Sequence, residues 1–253
     1  MSRLAGAEAF RFDGGPVGAL LCHGYTGTPQ SLRPWGEHLA AGGLTVSCPL
    51  QPGHGTRWQD LNRTRWPDWY DSIEAAYDEL ADRCAAVFVM GLSAGGALAL
   101  RLAQCRPDAV AGLVLVNPSL MTTRRSFIAL PVLQWVVPSL SGPANDIRKV
   151  GVVELAYDRA PLRALYSLTR LWRVVRADLP LVTAPLLVFR SARDHVVEPV
   201  NTALLLATVG SIVVEERVLA NSYHVATLDH DAPTVFHGSL DFVRAHAPAA
   251  APG

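Results

Sequence analysis

No run in this 253-residue chain reaches the roughly 18 uncharged apolar residues that a membrane-spanning helix needs. The opening residues, MSRLAGAEAFRFDGG, hold no apolar stretch of the secretory kind, so export by a signal peptide is not expected. Neither sign of charge is in excess: Lys+Arg and Asp+Glu number 22 each. A nucleic-acid-binding surface would show as a basic surplus, so that class is excluded. Cysteine is sparse, and Cys22, Cys48, Cys84 and Cys105 form no C-x-x-C or other zinc spacing. Cys22 and Cys48 sit inside apolar runs, where a thiol behaves as a small hydrophobe. All four are expected to be reduced, in a cytoplasmic protein. No internal repeat or low-complexity block is present, and nothing calls for a metal or organic cofactor.

What the chain does have is apolar residues: half of the total, with a mean hydropathy of +0.21. Its length suits one large α/β domain or two small ones. Short apolar runs recur at VGALLCH (17–23), TVSCPL (45–50), AVFVMGL (86–92), GLVLVN (112–117), PLLVFR (185–190) and VVEERVL (213–219). Most are apolar on both faces, as strands buried in a parallel sheet are. Helical patterns lie between them. PQSLRPWGEHLAAGG stops at Gly42-Gly43, and PDWYDSIEAAYDELADRC stripes Trp69, Ile73, Ala76, Tyr77 and Leu80 along one face. ALALRLAQCRP ends at a proline, and DAPTVFHGSLDFVRAHA forms a last helix. The alternation predicts a mostly parallel sheet flanked by helices. It breaks between Pro118 and Leu181, where no strand pair is evident. A segment of that length should carry its own structure. Its charge-free FIALPVLQWVVPSL and helix-like VVELAYDRAPLRALYSLTRLWRVV read as an insertion over the carboxyl edge of the sheet, where ligands bind in open α/β folds. The expected division is a core of 1–117 and 182–253 with a cap of 118–181.

GLSAGG (91–96) joins the run AVFVMGL to the helix ALALRLAQ. Gly, Ala and Ser together also mark close helix-on-sheet packing, so the motif alone decides little. The strand–turn–helix context decides for a nucleophile: it pushes the Ser93 hydroxyl out over the sheet edge, with a helix N-terminus behind it to stabilise an oxyanion. Side chains at Gly91 and Gly95 would collide across so tight a turn, and Gly96 gives room for helix-on-strand contact. A serine hydroxyl needs a base, and the base an orienting acid. Asp194 follows PLLVFR and His224 follows VVEERVL, giving the order Ser, Asp, His. His195, adjacent to Asp194, points elsewhere. Glu198 and Asp229 are competing orienters, read as starting a helix and capping the last helix. His38, His230, His237 and His246 read as surface or helix-face residues, and His54 as structural. His23-Gly24 ends the first core strand, and the backbone N–H groups of Tyr25 and Ala94 are the expected oxyanion donors.

Together, HGYTGTPQSLRP, PGHGT, GLSAGG, DHVV and NSYHVATLD resemble the bacterial monoacylglycerol lipases and small carboxylesterases of the α/β-hydrolase superfamily, over nearly the whole chain. The resemblance implies the α/β-hydrolase fold with a small inserted cap, and a triad at Ser93, Asp194 and His224. It further implies oxyanion donors at Tyr25 and Ala94, and glycerol recognition by Glu154 within VVELAYDRAP. A solvated or Arg148- or Arg159-paired Glu154 is the plainer alternative. Relatives usually carry Met or Leu at the position of Ala94, so the pocket there should be wider. Residues 121–148 match poorly, which leaves acyl-chain preference open. The expected partners are a single-chain lipid ester and, transiently through the cap, a membrane or micelle, with the chain a monomer. FIALPVLQWVVPSL is expected to face lipid, with packing inside the cap as the alternative. A general carboxylesterase without glycerol specificity is the second enzymatic reading. A silent binding module of this fold would have lost a triad member, and none is missing.

Overall fold

The structure, a computed structural model, describes residues 3–142 and 145–248. The apolar runs form one twisted sheet. Its strands are β1 (Phe10–Phe12), β2 (Val17–Cys22), β3 (Thr45–Cys48), β4 (Ala86–Leu92), β5 (Val110–Val116), β8 (Leu186–Ser191) and β9 (Val214–Leu219). The order across the sheet is β1-β3-β2-β4-β5-β8-β9, and only β1 runs antiparallel to its neighbour. The β1 strand was not expected from the sequence. The two remaining strands, β6 (Ser139–Ser141) and β7 (Arg159–Pro161), pair separately and antiparallel. They lie within 118–181, where no strand pair was expected. At three residues each they are too short to show a period.

Why the central runs are apolar on both faces is visible in the core. Alternate residues point to opposite sides of a strand. Val87 and Val89 join one buried cluster while Phe88, Met90 and Leu92 join the other, and β5 and β8 divide the same way. The first cluster lies under α3 (Trp66–Ala81), α4 (Ala94–Cys105) and α6 (Leu162–Ala177). The second lies under α1 (Arg33–Ala41) and α8 (Ala232–His246). Strand β9 departs from expectation. It is the sheet's edge, and most of its residues are exposed, which is why VVEERVL carries three charges where the inner strands carry only Arg190, near the end of β8 and bonded to Glu216 of β9. The short α2 (Trp58–Leu61) and α7 (Val200–Thr208) complete the body.

Between β5 and β8 the chain leaves the sheet and forms α5 (Leu130–Val136), the β6–β7 pair and α6. The FIALPVLQWVVPSL stretch has two sides. Ile128, Val132, Trp135 and Val136 are exposed, whereas Leu130 is buried. The expected helical reading of VVELAYDRAP does not hold. Residues 152–158 are irregular and the helix begins only at Leu162, after Pro161 in an extended conformation. A proline favours the helix start and restricts the residue before it, so the run of good helix formers could not begin earlier.

Candidate active site

The site is built at the carboxyl ends of β2, β4, β8 and β9. The elbow after β4 holds Ser93 at φ 56°, ψ −119°, a region costly for a side chain. What forces it there is crowding. A β-carbon on Gly91 would overlap the Gly95 carbonyl oxygen and lie 2.6 Å from the Gly96 nitrogen. One on Gly95 would overlap the Cys22 carbonyl oxygen and lie 2.7 Å from that of His23. The helix therefore presses directly on the end of β2, and only glycine allows it. Gly96 faces Pro118, whose Cβ lies 3.0 Å from where its own would be. The elbow is anchored by Ser93 N–H donating to the Val116 carbonyl (2.9 Å) and Ser119 N–H donating to the Ser93 carbonyl (3.1 Å).

Beyond β9, His224 Nδ1 lies 2.7 Å from Asp194 Oδ2, with both side chains nearly inaccessible. Asp194 Oδ1 accepts the N–H groups of Val196 and Val197 at 2.8 Å each. Burial alone would raise the Asp194 pKa, but the charge and hydrogen bond of His224 and these two amides outweigh it and hold the carboxyl below its usual range. For His224 the balance has the opposite sign. Burial lowers it, and Asp194, with smaller contributions from Glu154 and Asp146, raises it above the usual histidine value. Both shifts describe one coupled pair in which Asp194 stabilises an imidazolium.

Ser93, His224, Gly24, Tyr25 and Glu154 line one cavity of about 220 Å³. Its far walls are apolar, with Phe127, Leu140, Leu165, Leu168, Trp172 and Val197. A β-carbon on Gly24 would stand 3.5 Å from Ser93 Cβ, so glycine keeps that side open. No hydrogen bond joins Ser93 to His224 among the described residues. Such bonds often tighten only when substrate arrives.

Glu154 is placed against this group by an irregular segment, not by a helix. Its N–H donates to Asn145 Oδ1 (2.6 Å), and a β-carbon on Gly27 would meet Glu154 Oε1 at 3.0 Å. Burial raises its carboxyl to about 7, against the opposing pull of His224 and the Asn145 amide. Neither Arg148 nor Arg159 pairs with it. Arg148 is turned to the Asn221 carbonyl, and Arg159 to Ser139.

The competing carboxylates do other work. Glu198 precedes α7 and its Oε1 accepts from Thr122 Oγ1 (2.9 Å) and Thr123 N–H (3.2 Å), tying the segment after β5 to the body. Asp229 does not cap α8, whose N-cap is Asp231. It instead accepts the N–H groups of Arg148, Lys149, Tyr223 and His230. His195 points away from the site, its Nδ1 2.8 Å from Asp146 Oδ1. His230 and His237 are exposed, and His54 is buried edge-on to Trp69. Three supporting residues escaped the sequence reading. Asn117, at φ 45°, donates to the His224 carbonyl (2.8 Å) and to Ser191 Oγ (3.0 Å). Ser191 Oγ in turn donates to the Tyr223 carbonyl (2.7 Å). Asp146 accepts the His224 N–H at 3.1 Å. The one available signal was an asparagine ending a buried strand at the sheet edge.

A strained serine at a strand–helix elbow, a His–Asp pair after the last two strands and a mostly parallel sheet define the α/β-hydrolase class. A solved structure reported for two metagenome-derived lipolytic enzymes, LipS and LipT, superposes with a TM-score of 0.94 at 39% identity, covering 97% of this chain and 100% of that one. The Paleococcus ferrophilus monoacylglycerol lipase shares the fold at a TM-score of 0.79 and 19% identity, over 94% of this chain and 98% of its own. The family described as "Serine aminopeptidase, S33" matches residues 18–231, and the chain belongs to it. Within that family it is 41% identical over 249 residues to the thermostable monoacylglycerol lipase of Bacillus sp. (strain H-257), covering 96% of this chain and 97% of the relative. It is 24% identical over 237 residues to a Bacillus subtilis (strain 168) carboxylesterase, covering 93% of this chain and 96% of that one.

Proposed function

We propose that this chain is a serine ester hydrolase that cleaves monoacylglycerols and similar single-chain carboxylic esters. The observation that carries the reading is the 2.7 Å His224–Asp194 bond on the wall of the cavity that Ser93 enters. Because Nδ1 is engaged by Asp194, Nε2 is the nitrogen left for the serine. Ser93 Oγ attacks the ester carbonyl carbon as His224 Nε2 takes its proton, and Asp194 stabilises the imidazolium. The N–H groups of Tyr25 and Ala94 receive the developing oxyanion. His224 then returns the proton to the departing glycerol oxygen, leaving an acyl-enzyme on Ser93. Water activated by the same histidine hydrolyses that intermediate.

The apolar walls suit one acyl chain, and Glu154, set at the polar end, suits the two free hydroxyls of a glycerol leaving group. Residues 118–181 act as the cap over a body formed by 1–117 and 182–253. This segment holds nine basic and four acidic residues and displays Ile128, Val132, Trp135 and Val136. That combination suits transient contact with a membrane or micelle that carries the substrate. The enzyme works as a monomer in the cytoplasm, where its thiols stay reduced. A general carboxylesterase is the second reading, favoured by the small Ala94 beside the nucleophile. The test compares monoacylglycerols with p-nitrophenyl esters over a series of acyl lengths. A preference for the glycerol esters at matched chain length supports the first reading, and indifference to the leaving group supports the second.

A further inference from the structure

The N–H assigned above to the oxyanion belongs to Tyr25, and the carbonyl of the same planar unit belongs to Gly24. In a trans peptide the two point in opposite directions, so whatever holds the Gly24 oxygen aims the Tyr25 N–H. Two donors hold it. His23 Nδ1 lies 3.1 Å away, and Gly27 N–H lies 3.3 Å away across a turn in which Thr26 adopts φ 64°. His23 has no exposed surface. Its other nitrogen, Nε2, accepts the backbone N–H of Gln51 at 3.2 Å, and Gln51 Nε2 donates to the His23 carbonyl at 3.0 Å. A backbone amide can only donate, so Nε2 must present its lone pair and the single ring proton must sit on Nδ1. The neighbouring His54 ring, edge-on at 4.9 Å, completes the packing.

We infer that His23 is a positioning residue for the ester hydrolysis proposed above: its Nδ1–H fixes and polarises the Gly24–Tyr25 peptide so that the Tyr25 N–H faces the oxyanion. The inference rests on that reading of the site. Burial also pushes the ring down to about 4, so it stays a neutral, one-proton donor at neutral pH.

The test uses two near-isosteric variants of the full chain. In H23N the side-chain amide stands where Nδ1 stood and can still donate to Gly24. In H23Q it stands where Nε2 stood and cannot. With a p-nitrophenyl ester as substrate, H23Q should lower kcat by about 10- to 100-fold with KM changed less than about threefold, somewhat below the cost of losing an oxyanion donor outright. The inhibition constant of an alkyl trifluoromethyl ketone, which forms a tetrahedral oxyanion on the serine, should rise by a similar factor. H23N should recover most of both. Wild-type turnover in H23Q would overturn the inference. So would equal losses in the two variants with ketone affinity unchanged. If neither variant folds, ¹⁵N spectra of wild type decide: a protonated Nδ1 with a bare Nε2 supports it, and the opposite tautomer overturns it. Loss of the whole reading is distinguishable, because then wild type would cleave no ester or S93A would remain active.

Discussion

Glu154→Gln should move stability and selectivity in opposite directions. The carboxyl is raised from 4.5 to about 7 because burial penalises its charge. Above pH 7 the folded protein bears that penalty in full. At about 1.4 kcal/mol per pKa unit the ceiling is roughly 3 kcal/mol. The carboxyl lines a cavity that solvent can enter, so about 1–2 kcal/mol is the share expected to be recovered by a neutral amide. The sign follows from linkage. A raised pKa means stability is greatest below pH 4.5 and is lost as pH climbs through 7, so the gain in E154Q should appear at pH 8 and vanish at pH 5. For a chain of this size that is a rise of about 2–8 °C in Tm at pH 8. Selectivity should fall. A hydrogen bond to a charged group contributes about 1.5–3 kcal/mol, so removing the charge lowers kcat/KM for a monoacylglycerol by up to about 10- to 150-fold. The p-nitrophenyl ester of the same acid, which offers no hydroxyl, should barely change. The assay is the ratio of the two kcat/KM values between pH 5.5 and 8.5, in which the titration of His224 cancels. In wild type the ratio should climb through pH 7, and in E154Q it should be flat. Equal losses on both substrates, or the same rising ratio in the variant, would refute the reasoning.

Gly95→Ala would drive a methyl group into the Cys22 carbonyl, so a loss of about 3 kcal/mol or more in urea unfolding is expected, with activity lost as well. Val132→Ser with Trp135→Ser should reduce hydrolysis of micellar substrate several-fold while leaving soluble short esters and Tm unchanged, because both side chains face outward. Leu130→Ser should instead lower Tm, since Leu130 is buried. His23, held near 4 against 6.5 when unfolded, binds its proton less readily in the folded state. Its contribution is therefore a loss of stability of about 3 kcal/mol as pH falls from 6.5 to 4, levelling off below, measurable by denaturant unfolding across that window.

What could be read from the sequence was whatever a local pattern encodes. The inner strands show as runs apolar on both faces, and the elbow shows because Gly91, Ser93 and Gly95 must be small or strained in one short stretch. Asp194 and His224 were legible from their order after successive strands. What was not legible depends on pairings between distant segments. Asn117 reaches His224 across 107 positions, and Asp229 gathers amides from 148–149 as well as from its own loop. Nothing in NPSL or TLDHD distinguishes such residues from ordinary turn formers. Leu130 and Val132 look alike in FIALPVLQWVVPSL, yet one is buried and the other exposed, because the direction of a short helix is set by what it packs on. Glu154 was legible as a residue but not as a site. Only the fold brings Gly27 and His224 to it and excludes both neighbouring arginines.

The central claim is that Ser93 is the nucleophile of an ester hydrolase. Its most direct test is mass spectrometry of the intact protein and its peptides after brief exposure to a long-chain alkyl fluorophosphonate. The account predicts one adduct per chain, on the peptide carrying Ser93, formed in step with loss of esterase activity and absent from S93A. Labelling of another residue, or full esterase activity in a chain wholly modified at Ser93, would contradict it.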